Sequence, residues 1–148
     1  MIDRTVGGDS VDAEFYTFDH PSLVTAFSNA SHRGVIVRVV VDRGEVDRKN
    51  CRGMCDAIES LLRAGVDVVA GQGQTADEKG RELQWPGIHH SKSIRAANVL
   101  ALGSLNATRA AQRNCETLAV GELTPAGRTR STPVAKQYAC RQERLDCR

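Results

Sequence analysis

An α/β fold with a mixed, largely parallel β-sheet flanked by helices is what this 148-residue sequence predicts. Three observations carry the prediction. Strand-like and helix-like segments alternate in the first half of the chain, the order that builds parallel strands joined by crossover helices. One segment, residues 35–42, is almost continuously β-branched and apolar, as in a strand buried on both faces. The length suffices for one domain with one core.

The elements follow in order. Residues 11–18 are rich in aromatic and β-branched types and predict a strand. Asp19 is placed to cap a helix with Pro21 in its first turn. Leu23, Val24 and Phe27 fit one face of that helix, which runs to about Ser31 and stops at Gly34. After the strand at 35–42 comes a charged loop, 43–50. A second helix, about 51–64, presents Met54, Ile58, Leu61 and Leu62 on its apolar side and ends at Gly65. Val66–Ala70 reads as a short strand. Residues 71–87 are a long polar loop, a length often functional or mobile. Ile88 to about Ala96 and Asn98–Leu102 read as two strands meeting at a tight turn, and Thr117–Val120 as another strand.

Composition narrows the function classes. Hydrophobic residues are 41% and charged residues 26%, ordinary for a soluble globular protein. Aromatics are only 4%, so Val, Leu, Ile and Ala must build most of the core. The net charge of +2 is too small to imply nucleic-acid binding by itself. No apolar stretch reaches the length of a membrane span. The N-terminus has no basic segment followed by an apolar one, so no signal peptide is expected and an intracellular location is favoured.

Five cysteines, at 51, 55, 115, 140 and 147, are an odd count without a secretory signal, which argues against a disulfide framework. Cys51 and Cys55 would share a helix face. As half of a metal site they would need histidines such as His89 and His90. Zinc sites use tighter Cys-x-x-Cys spacing, so two small apolar residues on a helix are expected instead. From Arg128 onward there are six basic residues and two acidic ones, with Pro133 and no apolar periodicity. That segment reads as a solvated, disordered tail, or as a basic arm that touches phosphates.

The chemistry concentrates in residues 88–116. On a strand, His90 and Lys92 would point to the same face and His89 to the opposite one, so His89 is assigned no catalytic role. Gly103 would let the backbone approach a ligand. Ser104 and Asn106 are again two apart. A hairpin-like approach would gather these side chains into a set suited to a phosphodiester. Lys92 neutralises non-bridging oxygens, Ser104 and Asn106 donate hydrogen bonds to them, and a neutral His90 nitrogen attacks phosphorus. Glu116, on the other ring nitrogen of His90, would fix its tautomer. A His-x-Lys triplet alone is weak evidence, since both residues could simply decorate a strand. His20 and His32 are expected to be structural or on the surface. Trp85 has two readings: packing beneath its loop, or stacking on a base or meeting lipid.

His90-Ser91-Lys92, followed by Gly103-Ser104-Leu105-Asn106-Ala107-Thr108, resembles the HKD signature of the phospholipase D superfamily: His-x-Lys, four residues, Asp, then Gly-Ser-x-Asn. Asn114-Cys115-Glu116 is similar to the Asn-x-Glu that follows in many members. Upstream, Tyr16-Thr17-Phe18, Pro21, Arg33-Gly34-Val35, the run 37–42 and the stretch 61–66 resemble the family's approach to the motif. The resemblance covers about residues 10–121, implying a phospholipase D-like domain over 1–121 and a basic tail over 122–148. Two departures stand out. The motif's Asp falls at position 97, which is Ala97, and in this family that Asp is generally a supporting residue. Only ten residues precede Val11, where members usually carry a further strand and helix, so an exposed sheet edge is expected.

The resemblance implies a metal-independent phosphodiesterase without cofactor. Hydrolysis would run through a phosphohistidine on His90, with Lys92 and Asn106 clamping the phosphate. One motif is half a site, so a homodimer with the site on its two-fold axis is implied. The substrate would be nucleic acid, making the chain a nuclease, or a phospholipid head group. Ala97 also leaves room for an inactive phosphate-binding module.

Overall fold

The structure, a computed structural model, describes residues 1–47, 51–124 and 141–144. The first strand is β1 (Ser10–Phe15). Helix α1 (Pro21–His32) follows, then β2 (Ile36–Asp42), the single-turn helix α2 (Arg43–Val46) and helix α3 (Arg52–Arg63). Strand β3 (Asp67–Gln72) precedes the hairpin of β4 (Lys92–Ala96) and β5 (Val99–Gly103). The last strands are β6 (Leu118–Glu122) and β7 (Arg141–Arg144). Short 3₁₀ turns occupy Ile2–Arg4 and Ala110–Arg113.

Among the described residues seven strands form one sheet in the order β6-β5-β4-β1-β2-β3-β7. The α/β class and the mixed sheet are as the sequence predicts. Parallel pairing is confined to the core β1-β2-β3, where helices make the crossovers. The remaining neighbours pair antiparallel.

An exposed sheet edge is expected, and β6 is one, with all five of its residues exposed; β1 itself is interior, because β4 pairs along its free side in the register Phe15↔Lys92 to Val11↔Ala96. The other edge among the described strands is β7. β7 falls inside the segment expected to be a disordered tail, and it pairs with β3 from Val69↔Arg144 to Gln72↔Arg141. The rest of that expectation, from residue 125 to 140 and from 145 on, lies outside the described residues, as does the loop at 48–50.

The core lies on one face of the sheet. Val11, Ala13 and Phe15 of β1, Val37, Val39 and Val41 of β2, and Val68 of β3 are buried together with Phe27 and Ala30 of α1 and Met54, Ala57, Ile58 and Leu61 of α3. Gly34 (φ +81°) and Gly65 (φ +79°) stop the two helices in the left-handed conformation that closes a helix C-terminus at no Cβ cost. Asp19 does not cap α1. His20 occupies the N-cap position, and the Asp19 carboxylate accepts instead from the Arg109 amide. β2 is buried on both faces only toward its end: Ile36 is exposed and Arg38 half-buried, whereas Val40 and Asp42 are covered.

The cysteine expectation is corrected. Cys51 and Cys55 are joined by a disulfide with Cα atoms 5.5 Å apart, across the first turn of α3. The physical reason is that i, i+4 spacing on a helical turn brings Cα atoms within the 4.4–6.8 Å range that a disulfide spans. Cys115 is free and exposed; Cys140 and Cys147 lie outside the described residues. No described helix is long and apolar enough to cross a membrane.

Candidate active site

The parallel core strands end at Phe15, Asp42 and Gln72, and at that edge β4 begins, β5 ends and β6 begins. The carboxyl ends of parallel strands are where open α/β sheets place ligands, because the crossover loops leave a crevice there. Every residue singled out in the motif except Ala97 sits at this edge.

Strand β4 starts at Lys92, so His90 precedes the strand and alternation does not set its direction. The ring of Tyr16 brings the two residues together. Tyr16 follows the last residue of β1, its ring centroid lies 4.8 Å from that of His90, and the Lys92 ammonium lies 5.6 Å from it. Lys92 also donates to the His90 carbonyl at 3.0 Å. Partial burial pulls the Lys92 pKa below its ordinary value, against an opposing pull from the Glu116 carboxylate. Composition offered no signal for Tyr16 beyond an aromatic residue at a strand end.

Lys92 and Asn106 line one cavity of about 210 Å³, whose walls are otherwise mostly apolar: Phe15, Leu23, Ile94, Leu105 and Leu118 among them. Asn106 Oδ1 is buried without a hydrogen-bond partner among the described residues. Buried polar atoms in native proteins nearly always have a partner, so each orphan needs an explanation.

Glu116 and Ser104 differ from expectation. The Ser104 hydroxyl donates to Glu116 Oε2 at 2.5 Å and accepts from the Thr117 amide at 3.0 Å. The Asn114 amide donates to Glu116 Oε1 at 3.1 Å. Ser104 is therefore committed to holding Glu116, and the carboxylate is engaged by these two side chains instead of an imidazole. Those hydrogen bonds, with the Lys92 charge as a smaller cause, hold the Glu116 pKa below the ordinary carboxylate range. Gly103 also has a different purpose from the one expected. A Cβ there would meet the Thr117 carbonyl oxygen at 2.0 Å, so glycine is required by the neighbouring strand and not by a ligand.

His89 and His90 do go opposite ways, although not because of strand alternation. His90 is exposed, whereas His89 is 5% exposed and lies on the second face of the sheet. Its ring crosses Gly71, where a Cβ would come within 3.1 Å of it. Its amide donates to Asp42 Oδ2 at 2.7 Å, and its Nε2 lies 3.7 Å from Glu14 Oε2. Burial lowers the His89 pKa, outweighing the opposite pull of Glu14 and Asp42.

The motif's seventh position lies elsewhere. Ala97 sits in the two-residue β4–β5 turn with φ +50°, the only positive-φ non-glycine residue among those described. It is the length of β4 away from Lys92, roughly 16 Å at ~3.3 Å per residue. Trp85 is 82% exposed, so it does not pack beneath its loop. His20 meets Gln112, and His32 is in the last turn of α1.

A family model described as "Cardiolipin synthase, PLD-like domain" matches residues 1–143. No curated protein matches the chain. Among solved structures, the chain is similar to a phospholipase D family member, Nuc, from Salmonella typhimurium. The TM-score is 0.72 and the identity 23%, covering 97% of this chain and 86% of that one. It is also similar to NucT from Helicobacter pylori, with TM-score 0.69 and 20% identity, covering 88% of this chain and 80% of that one.

Proposed function

The chain belongs to the phospholipase D-like family, and from that premise we propose that it is a metal-independent phosphodiesterase working through a phosphohistidine on His90. The observation that carries the reading is the shared cavity of Lys92 and Asn106, with the exposed His90 ring joined to Lys92 through Tyr16. The orphaned Asn106 Oδ1 is an acceptor, so the amide Nδ2 is the group able to donate to a phosphate oxygen.

A homodimer supplies two such half-sites. His90 of one subunit attacks phosphorus, and the P–O bond to the leaving alcohol breaks as the N–P bond forms. The partner's His90 gives that alcohol its proton and then takes one from water, whose oxygen displaces the histidine from phosphorus. Lys92 supplies positive charge to the non-bridging oxygens, Asn106 donates to them, and Glu116, held by Ser104, opposes the burial that lowers the Lys92 pKa.

Nucleic acid is the first substrate reading. The basic residues from Arg128 onward and the exposed Trp85 support it, the first by attracting phosphates and the second as a stacking surface. A phospholipid head group is the second, supported by the apolar walls of the cavity beside Lys92. The test is hydrolysis of a chromogenic phosphodiester in EDTA by the wild-type chain and by His90→Ala, followed by single-stranded DNA against phospholipid vesicles. Turnover that survives EDTA and falls by about 10³-fold or more in the variant is expected, the scale on which removing a nucleophile acts. No turnover by folded wild-type protein would leave an inactive phosphate-binding module.

A further inference from the structure

We infer that Tyr16, anchored by Glu45 and through it by Asp42, is a positioning residue that holds the His90 imidazole and the Lys92 ammonium in register. This rests on the phosphodiesterase reading of the same site, and it names three residues outside the motif.

The contacts form a closed circuit. The Tyr16 hydroxyl donates to Glu45 Oε1 at 2.5 Å. Glu45 lies on the single-turn helix α2 and is only 9% exposed. Its amide donates to Asp42 Oδ1 at 3.1 Å, which caps α2. The other oxygen of the same carboxylate, Asp42 Oδ2, accepts from the His89 amide at 2.7 Å. His89 is bonded to His90, whose ring returns to Tyr16. A short buried carboxylate thus ties the end of β2 both to α2 and to the backbone of the motif. Displacing any member moves the ring on which His90 rests.

Each link has a physical reason. Buried carboxylates are costly unless hydrogen-bonded, and Asp42 and Glu45 both receive such bonds. A phenol donating to a carboxylate makes a short, charge-assisted bond and raises electron density on its ring. An electron-rich ring face attracts cations. The two groups against Tyr16 are the Lys92 ammonium and an imidazole that gains positive charge when it attacks phosphorus or takes a proton. His90 is otherwise exposed, so Tyr16 is its ring contact among the described residues. The charged and titratable groups around the pair are Tyr16 at the end of β1, Glu45 on α2 behind it, Lys92 on β4 and Glu116 before β6.

The experiment uses the full chain and four variants: Tyr16→Phe, Tyr16→Leu, Glu45→Gln and Glu45→Ala. Three readouts are taken: kcat and KM on the chromogenic diester, thermal midpoint, and the NMR positions of the His90 ring protons, which the Tyr16 ring current sets. Tyr16→Phe and Glu45→Ala are expected to lower kcat about 3- to 10-fold with KM nearly unchanged, and their combination to be no worse than either alone. Glu45→Gln keeps an acceptor for the phenol and is expected to retain most of kcat. Tyr16→Leu removes the aromatic face 4.8 Å from the His90 ring, so the His90 ring-proton resonances should move as the ring current is lost. The inference is overturned if Tyr16→Phe and Glu45→Ala leave kcat unchanged, or if their losses only track the fraction unfolded while the His90 ring-proton resonances stay at their wild-type positions in Glu45→Ala. Should the wild-type chain hydrolyse no diester, the functional reading fails. The His90 ring-proton resonances then decide the positioning claim alone, a displacement in Tyr16→Leu and Glu45→Ala supporting it and unchanged positions overturning it.

Discussion

The two ends of β4 have opposite characters. At its start, Lys92 meets the Tyr16 ring, the Glu116 charge and the cavity it shares with Asn106. At its other end, Ala96 is buried in the core and Ala97 turns the chain in a left-handed conformation, its amide donating to the Ser10 carbonyl. A single sequence motif thus spans two tasks separated by a strand. In the proposed function His-x-Lys serves the chemistry, and the seventh position lies in the turn. The lesson is that the departure at Ala97 concerns folding of the hairpin more than the reaction.

The largest effect should come from the site end. If the proposed function holds, Lys92→Ala removes the charge offered to the phosphate and is expected to cost about 10²–10³-fold in kcat, as loss of one transition-state donor does. A loss of less than 10-fold would mean the site end lies elsewhere. Next is a pH effect. The Glu116 carboxylate opposes the burial that lowers the Lys92 pKa. Glu116→Gln removes that support, so the Lys92 ammonium is lost at lower pH and the alkaline limb of the kcat/KM profile should move to lower pH. A limb that stays or moves upward would contradict the pairing.

His89 gives a smaller effect, on stability. Its folded pKa lies below the ordinary 6.5. The unfolded chain therefore binds the proton first, and stability falls as pH drops below 6.5 toward the folded value, by at most about 1.4 kcal/mol per pH unit. His89→Gln should flatten the loss of thermal midpoint below pH 6.5 without changing the alkaline limb of activity. An unchanged slope would mean that Glu14 keeps His89 protonated in the fold.

The smallest effect is at the turn end. Ala97→Asn or Ala97→Asp puts a residue that tolerates the left-handed region into the hairpin, and about 1 kcal/mol of stabilisation is expected with kcat unchanged. A large gain in kcat from Ala97→Asp would break the separation of the two ends.

Much of this was legible in the sequence. The β-branched run of β2, the helix stops at Gly34 and Gly65 and the β4–β5 hairpin follow from local backbone preferences, which are encoded residue by residue. The edge strand β7 was not, because Arg141–Arg144 carries no apolar alternation and is placed by pairing with β3. Tyr16 was not visible as part of the site, since its neighbours Glu45 and His90 are distant in sequence and meet only through the sheet. The opposite placement of His89 and His90 was anticipated from alternation. Its cause is the bond of the His89 amide to Asp42 ahead of the strand.

Adjacent His89 and His90 also provide the most direct measurement. The full chain would be quenched during turnover of a phosphodiester under base, which preserves phosphohistidine, and the peptide containing both histidines sequenced by mass spectrometry. The account predicts a phosphoryl-linked adduct on His90 with His89 unmodified. An adduct on His89, or sustained turnover with neither histidine ever modified, would contradict it.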